Sequence, residues 1–165
     1  MKLFLMRHAH SERSIDVIDV QRSLSFDGQA QAEKAATYLK DKKIDKLIVS
    51  FVQRTMQTAD IIQEQFVIPE IEVITELYEG NIERVINLLA EQDDKFKNIL
   101  IIGHNPHIYL MVLDLVDKNS KDYERINEET MTPAKIITLD FDPASSWKEI
   151  KDIRGVVVDI FNPDE

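Results

Sequence analysis

The sequence predicts an α/β fold: a three-layer sandwich whose mostly parallel central sheet carries helices on both faces. Apolar runs typical of strands alternate along the chain with apolar stripes at helical spacing, which is the order of a parallel sheet. Residues 3–6 and 99–102 are continuous apolar runs, and such runs indicate strands covered on both faces. The 165 residues suffice for one domain, residues 1–165, with a sizeable core.

Five strands and four helices are predicted in alternation. The strands are expected at residues 2–6, 47–50, 72–74, 99–102 and 136–141. Recurring positions on one helical face predict the helices, and these positions are Ala32, Ala35, Ala36 and Leu39, then Thr55, Thr58, Ala59, Ile62 and Phe66, then Ile82, Val85, Ile86 and Leu89, and finally Ile108, Met111, Val112 and Leu115.

Local signals mark where these elements begin and end. Asp27-Gly28 opens the first helix, and Pro69 separates the second helix from the strand that follows. The polar residues 117–129 predict a surface loop or a short helix. The tail after residue 154 matches no element and is expected to fray.

Composition narrows the class of protein. Thirty acidic residues against twenty basic ones give a net charge of −10, which opposes binding to nucleic acid or to an anionic membrane. The absence of cysteine excludes disulfides, thiolate metal sites and a cysteine nucleophile. No apolar stretch approaches the length of a membrane span, and the start is too short for a signal peptide. We therefore expect a cytoplasmic protein without nucleic-acid or membrane partners. A monomer is the default expectation for its oligomeric state.

All four histidines lie in two short clusters, each closely following a predicted buried strand. His8 and His10 follow the first strand, and His104 and His107 follow the fourth. Ligands of open parallel sheets bind beyond the carboxyl ends of the strands, so both clusters are expected to line one pocket. Four histidines could bind zinc, but the nearby arginines would place fixed positive charge beside the metal. We therefore expect neither a metal nor another cofactor.

The arginines and histidines belong to four motifs. In chain order the motifs are Arg7-His8-Ala9, Arg22-Ser23-Leu24-Ser25-Phe26-Asp27-Gly28, Arg54 within residues 50–59, and Gly103-His104-Asn105-Pro106. Together they resemble the histidine phosphatase superfamily, which has the phosphoglycerate mutase-like fold. The likeness is closest to the SixA-type phosphohistidine phosphatases, which also carry Arg-His-Ala, and it spans almost the whole chain.

The resemblance implies a covalent mechanism. His8 would attack phosphorus and form a phosphohistidine that water later hydrolyses. Arg7 and Arg54 would grip the phosphoryl oxygens through planar donors. A protonated His104 would donate one more hydrogen bond to the charge that develops in the transition state.

The resemblance also implies a proton donor for the leaving group. Members of the wider family supply it from a Glu in the pattern Leu-x-Glu, which Leu77-Tyr78-Glu79 matches. Glu79 is therefore the candidate general acid, with Glu76 close by, and a solvated loop carboxylate is the alternative. Such an acid typically contributes roughly 10²- to 10⁴-fold. It matters less for phosphohistidine, because a P–N bond to imidazole breaks more readily than a P–O ester.

Three more residues are expected to bind substrate. Arg22 would contact phosphate or substrate as in SixA, with a surface salt bridge as the alternative. Ser11 stands where relatives place a small hydroxyl residue near phosphate, although a turn would also explain it, and Asn105 is expected at the pocket rim. His10 and His107 match no catalytic position and are expected to line the rim.

The implied function is a metal-independent phosphatase with a phosphohistidine-containing protein as its leading substrate. A phosphatase of small phosphorylated molecules is the alternative. A phosphoglycerate-type mutase fits less well, because mutases that resemble this family are usually longer and enclose their substrate with extra segments. The remaining alternative is a non-catalytic phosphate-binding regulatory module.

Overall fold

The computed structural model covers all 165 residues and contains one six-stranded sheet. Its strands in chain order are β1 (Lys2–Arg7), β2 (Lys46–Ser50), β3 (Glu70–Ile74), β4 (Asn98–Gly103), β5 (Ile136–Asp140) and β6 (Val156–Phe161). They lie side by side in the order β3-β2-β4-β1-β5-β6. The first four strands pair in parallel, whereas β5 and β6 run antiparallel to their neighbours. The predicted mostly parallel sheet is confirmed.

Helices cover both faces of this sheet. They are α1 (Phe26–Leu39), α2 (Gln53–Gln65), α3 (Glu76–Glu79), α4 (Ile82–Ala90), α5 (His107–Leu115) and α6 (Lys121–Asn127). Phe4 and Met6 of β1 pack with α1 and α2, while Leu3 and Leu5 pack with α4, α5 and α6. Because successive strand residues point to opposite faces, both layers draw on one continuous apolar run. None of the helices has the length and apolar character needed to cross a membrane.

The C-terminal part of the chain departs from the expected frayed tail. Strand β6 pairs with β5 and buries Val157, while Val156 and Val158 stay exposed on the sheet edge. An edge strand that buries so few side chains has a weak alternating pattern, which explains why the sequence did not predict it. The polar segment 117–129 forms the short helix α6, where the Ser120 hydroxyl caps the N-terminus.

The parallel pairing of the central strands brings the two histidine clusters together. Arg7 at the end of β1 lies in register with Gly103 at the end of β4. The backbone N–H of His8 donates to the carbonyl of Gly103 at 3.0 Å. Strand β2 lies on the other side of β4 and ends at Ser50, so His8, Ser50 and His104 meet at one edge of the sheet.

Helix α1 fixes the segment that follows β1 through a close approach of two backbones. The side chain of Ser25 caps α1 by accepting from the N–H of Gly28 at 3.0 Å, and its own backbone N–H donates to the carbonyl of His10 at 3.0 Å. A Cβ on Gly28 would collide with that carbonyl oxygen. Only glycine therefore fits at this contact between helix and loop.

We expect Gly28→Ala to lower the free energy of unfolding by about 1–3 kcal/mol, since the added methyl has to displace backbone rather than a flexible side chain. Urea denaturation measures the loss. Gln29→Ala, an exposed neighbour on the same helix, is the matched control and should stay close to the original stability. Equal stability of the two variants would contradict the close approach.

Candidate active site

A polar cavity of about 210 Å³ opens beyond the carboxyl ends of β1 and β4, beside the first turn of α2. Its lining residues are Arg7, His8, His10, Ser11, Arg13, Arg22, Arg54, His104, Asn105 and Pro133. Every predicted site residue except Glu79 is among them. A larger groove of about 490 Å³ between α4 and α5 contains none of the predicted residues.

His8 is buried and its hydrogen bonds define its tautomer. Its Nδ1–H donates to the carbonyl of Ala9 at 2.6 Å, and its Nε2 accepts from the Nε–H of Arg54 at 3.2 Å. The network therefore assigns the proton to Nδ1 and a lone pair to Nε2. Burial, together with the positive groups nearby, lowers the pKa of His8 to about 3. His8 is neutral near pH 7.

His104 lies next to His8, with ring centroids 5.2 Å apart. Its Nε2–H donates to the hydroxyl of Ser50 at 2.9 Å, and its Nδ1 faces an Nη2–H of Arg54 at 3.4 Å. Burial, followed by the charge of Arg54, lowers the pKa of His104 to about 4. His104 is thus neutral near pH 7 in these surroundings, contrary to the protonated form that the resemblance implies.

Two guanidiniums flank this pair of imidazoles. Arg54 is buried on the first turn of α2, where its Nε contacts His8 and its Nη2 faces His104. Arg7 is partly buried, and its Nη1 donates to the carbonyl of Met131 at 2.8 Å. The buried Nε of Arg7 has no partner, and burial lowers the pKa of Arg7. Arg7 therefore keeps donors that no protein group uses.

Asp19 holds Arg54 in place, and the sequence did not single it out. Its Oδ2 accepts from Arg54 Nη2 and from the hydroxyl of Tyr78, both at 3.1 Å, and its Oδ1 accepts from Arg22 Nη1 at 3.0 Å. Burial raises the pKa of Asp19, but hydrogen bonds from the two arginines outweigh this and lower it. Asp19 lies at the end of a polar segment without periodicity. The sequence alone does not distinguish it from Glu12 and Asp16, two other acidic residues of that segment.

The three predicted substrate-binding residues line the cavity, but part of their hydrogen bonding holds loops together. Arg22 donates from Nε to the carbonyl of Glu12 and from Nη2 to the hydroxyl of Ser11, both at 2.8 Å. Asn105 donates from Nδ2 to the carbonyl of Met131 at 3.2 Å. Contact of these side chains with substrate remains a prediction.

Glu79 does not line the cavity in this structure, and its role as the general acid stays a prediction. Helix α3 is a single turn in which Leu77 is buried and the ring of Tyr78 lies 5.6 Å from that of His104. Glu79 is therefore turned to solvent and makes no hydrogen bond or ion pair. Glu76 pairs instead with Arg84, whose Nε lies 3.0 Å from its Oε1.

The two remaining histidines differ in position. His10 lines the cavity and its Nδ1 lies 2.7 Å from the hydroxyl of Ser25. His107 does not line the cavity. Its ring fills the space beside Gly80, and its buried Nδ1 has no hydrogen-bond partner. No three histidine, aspartate or glutamate side chains are grouped so that they could hold a metal ion.

Imidazole chemical shifts test the protonation states. We expect the signals of His8 and His104 to stay those of neutral rings from about pH 7.5 to about pH 5, because both pKa values lie well below the usual 6.5. Nuclear magnetic resonance with His8→Gln and His104→Asn for assignment measures this. Titration of either ring near pH 6.5 would contradict the assignment.

The same lowered pKa values make stability depend on pH. Below about pH 6.5 the unfolded chain takes up protons that the folded His8 and His104 do not, so the free energy of unfolding falls as the pH falls. The slope is at most about 1.4 kcal/mol per pH unit and histidine. Urea unfolding at pH 7, 6 and 5 measures how the free energy of unfolding depends on pH. This dependence should be shallower for His104→Asn than for the original chain. His10→Asn, at an exposed ring, is the control, and equal slopes for all three would refute the account.

Comparisons with known proteins bear on the family of the chain. A family model, the histidine phosphatase superfamily (branch 1), matches residues 3–85, just over half of the chain. This segment includes β1, α1, β2 and α2, together with Arg7, His8 and Arg54. A search of curated protein sequences found no match.

Solved structures show the same fold. A structure described as a candidate SixA phosphohistidine phosphatase from Nakamurella multipartitia has a TM-score of 0.85 at 22% identity, covering 98% of this chain and 95% of that chain. SixA complexed with tungstate has a TM-score of 0.80 at 22% identity, with 99% and 98% coverage. A mycobacterial glucosyl-3-phosphoglycerate phosphatase has a TM-score of 0.71 at 14% identity, with 95% and 96% coverage. The expected phosphoglycerate mutase-like fold is confirmed, and the chain belongs to the histidine phosphatase superfamily.

Proposed function

We propose that the protein is a phosphatase that removes the phosphoryl group of protein phosphohistidine through a covalent phosphohistidine on His8. The observation that carries the proposal is the neutral imidazole of His8, whose Nε2 lone pair lies beside Arg54 in an arginine-lined cavity. An unprotonated ring nitrogen is a nucleophile, and fixed guanidiniums bind phosphoryl oxygens. The shared fold with SixA structures, one of them holding the oxoanion tungstate, supports the same chemistry.

The reaction consists of two displacements at phosphorus. Nε2 of His8 gives its lone pair to phosphorus, and the bond to the leaving group breaks with its electron pair going to the leaving atom, which takes up a proton. Water then attacks the phosphorus of the phosphohistidine and loses a proton, and the P–N electron pair returns to Nε2. The products are the dephosphorylated substrate and inorganic phosphate, and His8 is neutral again.

The carbonyl of Ala9 serves the first displacement. Positive charge develops on the imidazole as Nε2 bonds to phosphorus. The hydrogen bond from Nδ1 to Ala9 at 2.6 Å points a fixed carbonyl dipole at that charge. It also keeps the proton on Nδ1, so that Nε2 is the nitrogen that attacks.

Arg7, Arg54 and His104 serve the phosphoryl oxygens. The transition state spreads charge over three equatorial oxygens, which planar guanidinium donors can contact in pairs. A phosphoryl dianion bound beside His104 raises the pKa of that ring. His104 therefore gains a proton as substrate binds and donates to the same oxygens.

The lack of a suitable acid in the cavity favours phosphohistidine over phosphate esters. No carboxylic acid lines the cavity, Glu79 faces solvent, and the lowered pKa of Asp19 keeps it ionised near pH 7. An ester oxygen needs a proton as it leaves, whereas the imidazole of phosphohistidine departs more readily without one. The site therefore suits a P–N substrate better than a P–O substrate.

Turnover on three substrates tests the proposal. They are a phosphohistidine protein, p-nitrophenyl phosphate and phosphoglycerate, with His8→Ala as the blank in each assay. We expect kcat/KM to be highest on the phosphohistidine protein and turnover to be abolished by His8→Ala. Preference for a small ester would favour the metabolite phosphatase instead, and activity that survives in His8→Ala would require another nucleophile.

Arginine variants test the phosphoryl clamp. Arg7→Ala and Arg54→Ala should each lower kcat/KM on the order of 10³-fold, the contribution that a transition-state arginine can make. Arg125→Ala removes the same charge from an exposed residue of α6 that does not line the cavity, and it should leave the rate unchanged. Rates for Arg54→Ala equal to those of Arg125→Ala would refute the clamp.

Removal of metal ions tests whether the arginines and histidines suffice. Dialysis against a chelator should leave kcat/KM unchanged, because the proposed steps use only side chains and water. A loss of activity that zinc restores would overturn the metal-independent mechanism.

A further inference from the structure

Four guanidiniums line the cavity, and the proposed chemistry uses two of them. Arg7 and Arg54 flank the nucleophile, and Arg22 is bonded to two loop groups and to Asp19. Arg13 lines the same cavity but makes no hydrogen bond and no ion pair. All the donors of Arg13 are therefore available to a ligand.

The carboxylates near Arg13 do not neutralise it. Glu12 and Asp16 belong to the same exposed segment, and neither forms an ion pair with it. The carboxylate of Asp19 is taken up by Arg54, Arg22 and the hydroxyl of Tyr78. Arg13 thus contributes unbalanced positive charge to the cavity of a chain whose net charge is −10.

The four guanidiniums exceed what one phosphoryl group needs. A phosphoryl monoester carries a charge of about −1.5 to −2 at neutral pH, and Asp19 offsets part of the remainder. Arg13 lies close enough to Arg7 for its charge to contribute, after burial, to the lowered pKa of Arg7. An anion held between these two guanidiniums would relieve their repulsion.

His10 is another residue that lines this cavity. Its Nδ1 is bonded to the hydroxyl of Ser25, and its Nε2 has no protein partner. Arg13 and His10 therefore offer a planar fork and a ring nitrogen to one more oxoanion beside the phosphoryl position.

We propose that the substrate carries a second anionic group next to the phosphoryl group that is transferred, and that Arg13 binds it with His10. This inference rests on the proposed function for the identity of the first group. The second anion is either another phosphate of a small molecule or an acidic side chain beside the phosphorylated residue of a protein. Both present oxygen pairs that match the guanidinium fork.

Equilibrium binding of two phosphonates tests the second anion site. Methylphosphonate has one oxoanion, and methylenediphosphonate has two close together on a bridge that phosphatases do not hydrolyse. Isothermal calorimetry on the whole chain should show methylenediphosphonate binding roughly 10-fold tighter or more, the gain from charge-assisted hydrogen bonds. Arg13→Ala should bring this ratio close to unity, and Arg13→Lys should retain part of it.

Arg125→Ala is the matched control, because it removes the same charge from an exposed arginine that does not line the cavity and should keep the preference. An equal ratio in Arg13→Ala and Arg125→Ala would show that total charge alone sets the preference. A pair of substrates separates the sources of the anion: kcat/KM is compared for phosphohistidine peptides with Glu or with Ala beside the phosphorylated residue. If only the Glu peptide is preferred, and the preference requires Arg13, the second anion is an acidic side chain. If Arg13 causes no preference within the phosphonate pair or within the peptide pair, the inference is overturned.

The phosphonate measurement does not depend on turnover. Absence of phosphatase activity would defeat the proposed function while the phosphonate ratio still reported on Arg13. Conversely, full activity with equal affinity for the two phosphonates and equal kcat/KM for the two peptides would leave the proposed phosphatase standing and overturn the second anion site.

Discussion

A buried guanidinium, that of Arg54, connects the groups at the centre of the cavity. Its Nε contacts His8 at 3.2 Å, and its Nη2 lies 3.4 Å from His104 and 3.1 Å from the carboxylate of Asp19. Burying such a charge is costly unless it is paired and hydrogen-bonded. Asp19 supplies the pairing from one side. On the other side burial is the main cause of the lowered pKa values of His8 and His104, and the charge of Arg54 adds to it. Arg54 therefore ties the proposed nucleophile, the second imidazole and the pairing carboxylate into one network.

The sheet makes this placement possible. Parallel pairing of β1 with β4 and of β4 with β2 puts His8, His104 and the start of α2 at one edge of the sheet. The contact of Gly28 with the carbonyl of His10 fixes the loop between β1 and α1. The cavity is positive in a chain whose net charge is −10. The overall field therefore opposes an approaching anion, and only the local arginines favour it. Substrates should be selected by contacts at short range rather than by long-range steering.

The sequence predicted the layers well because their signals are periodic. The continuous apolar runs of β1 and β4 and the stripes of α1, α2, α4 and α5 follow from burial on known faces. Strand β6 was missed because an edge strand buries few side chains. Most histidines and arginines of the cavity were predicted from motifs. Asp19 and Arg13 lie in a polar segment with several charged residues, and only the fold determines which of them reaches the cavity or its arginines. Glu79 does not line the cavity, because the one-turn helix α3 turns Tyr78, one residue earlier, towards His104.

The identity of the nitrogen that attacks phosphorus is the most direct test of the account. Rapid quenching of the enzyme during turnover under alkaline conditions, followed by mass spectrometry and phosphorus nuclear magnetic resonance, locates the phosphoryl group on the protein. The account predicts one phosphorylated residue, His8, with phosphorus on Nε2, because the Ala9 carbonyl holds the proton on Nδ1. Phosphorus on Nδ1 of His8, on His104, or on no residue during active turnover would contradict it.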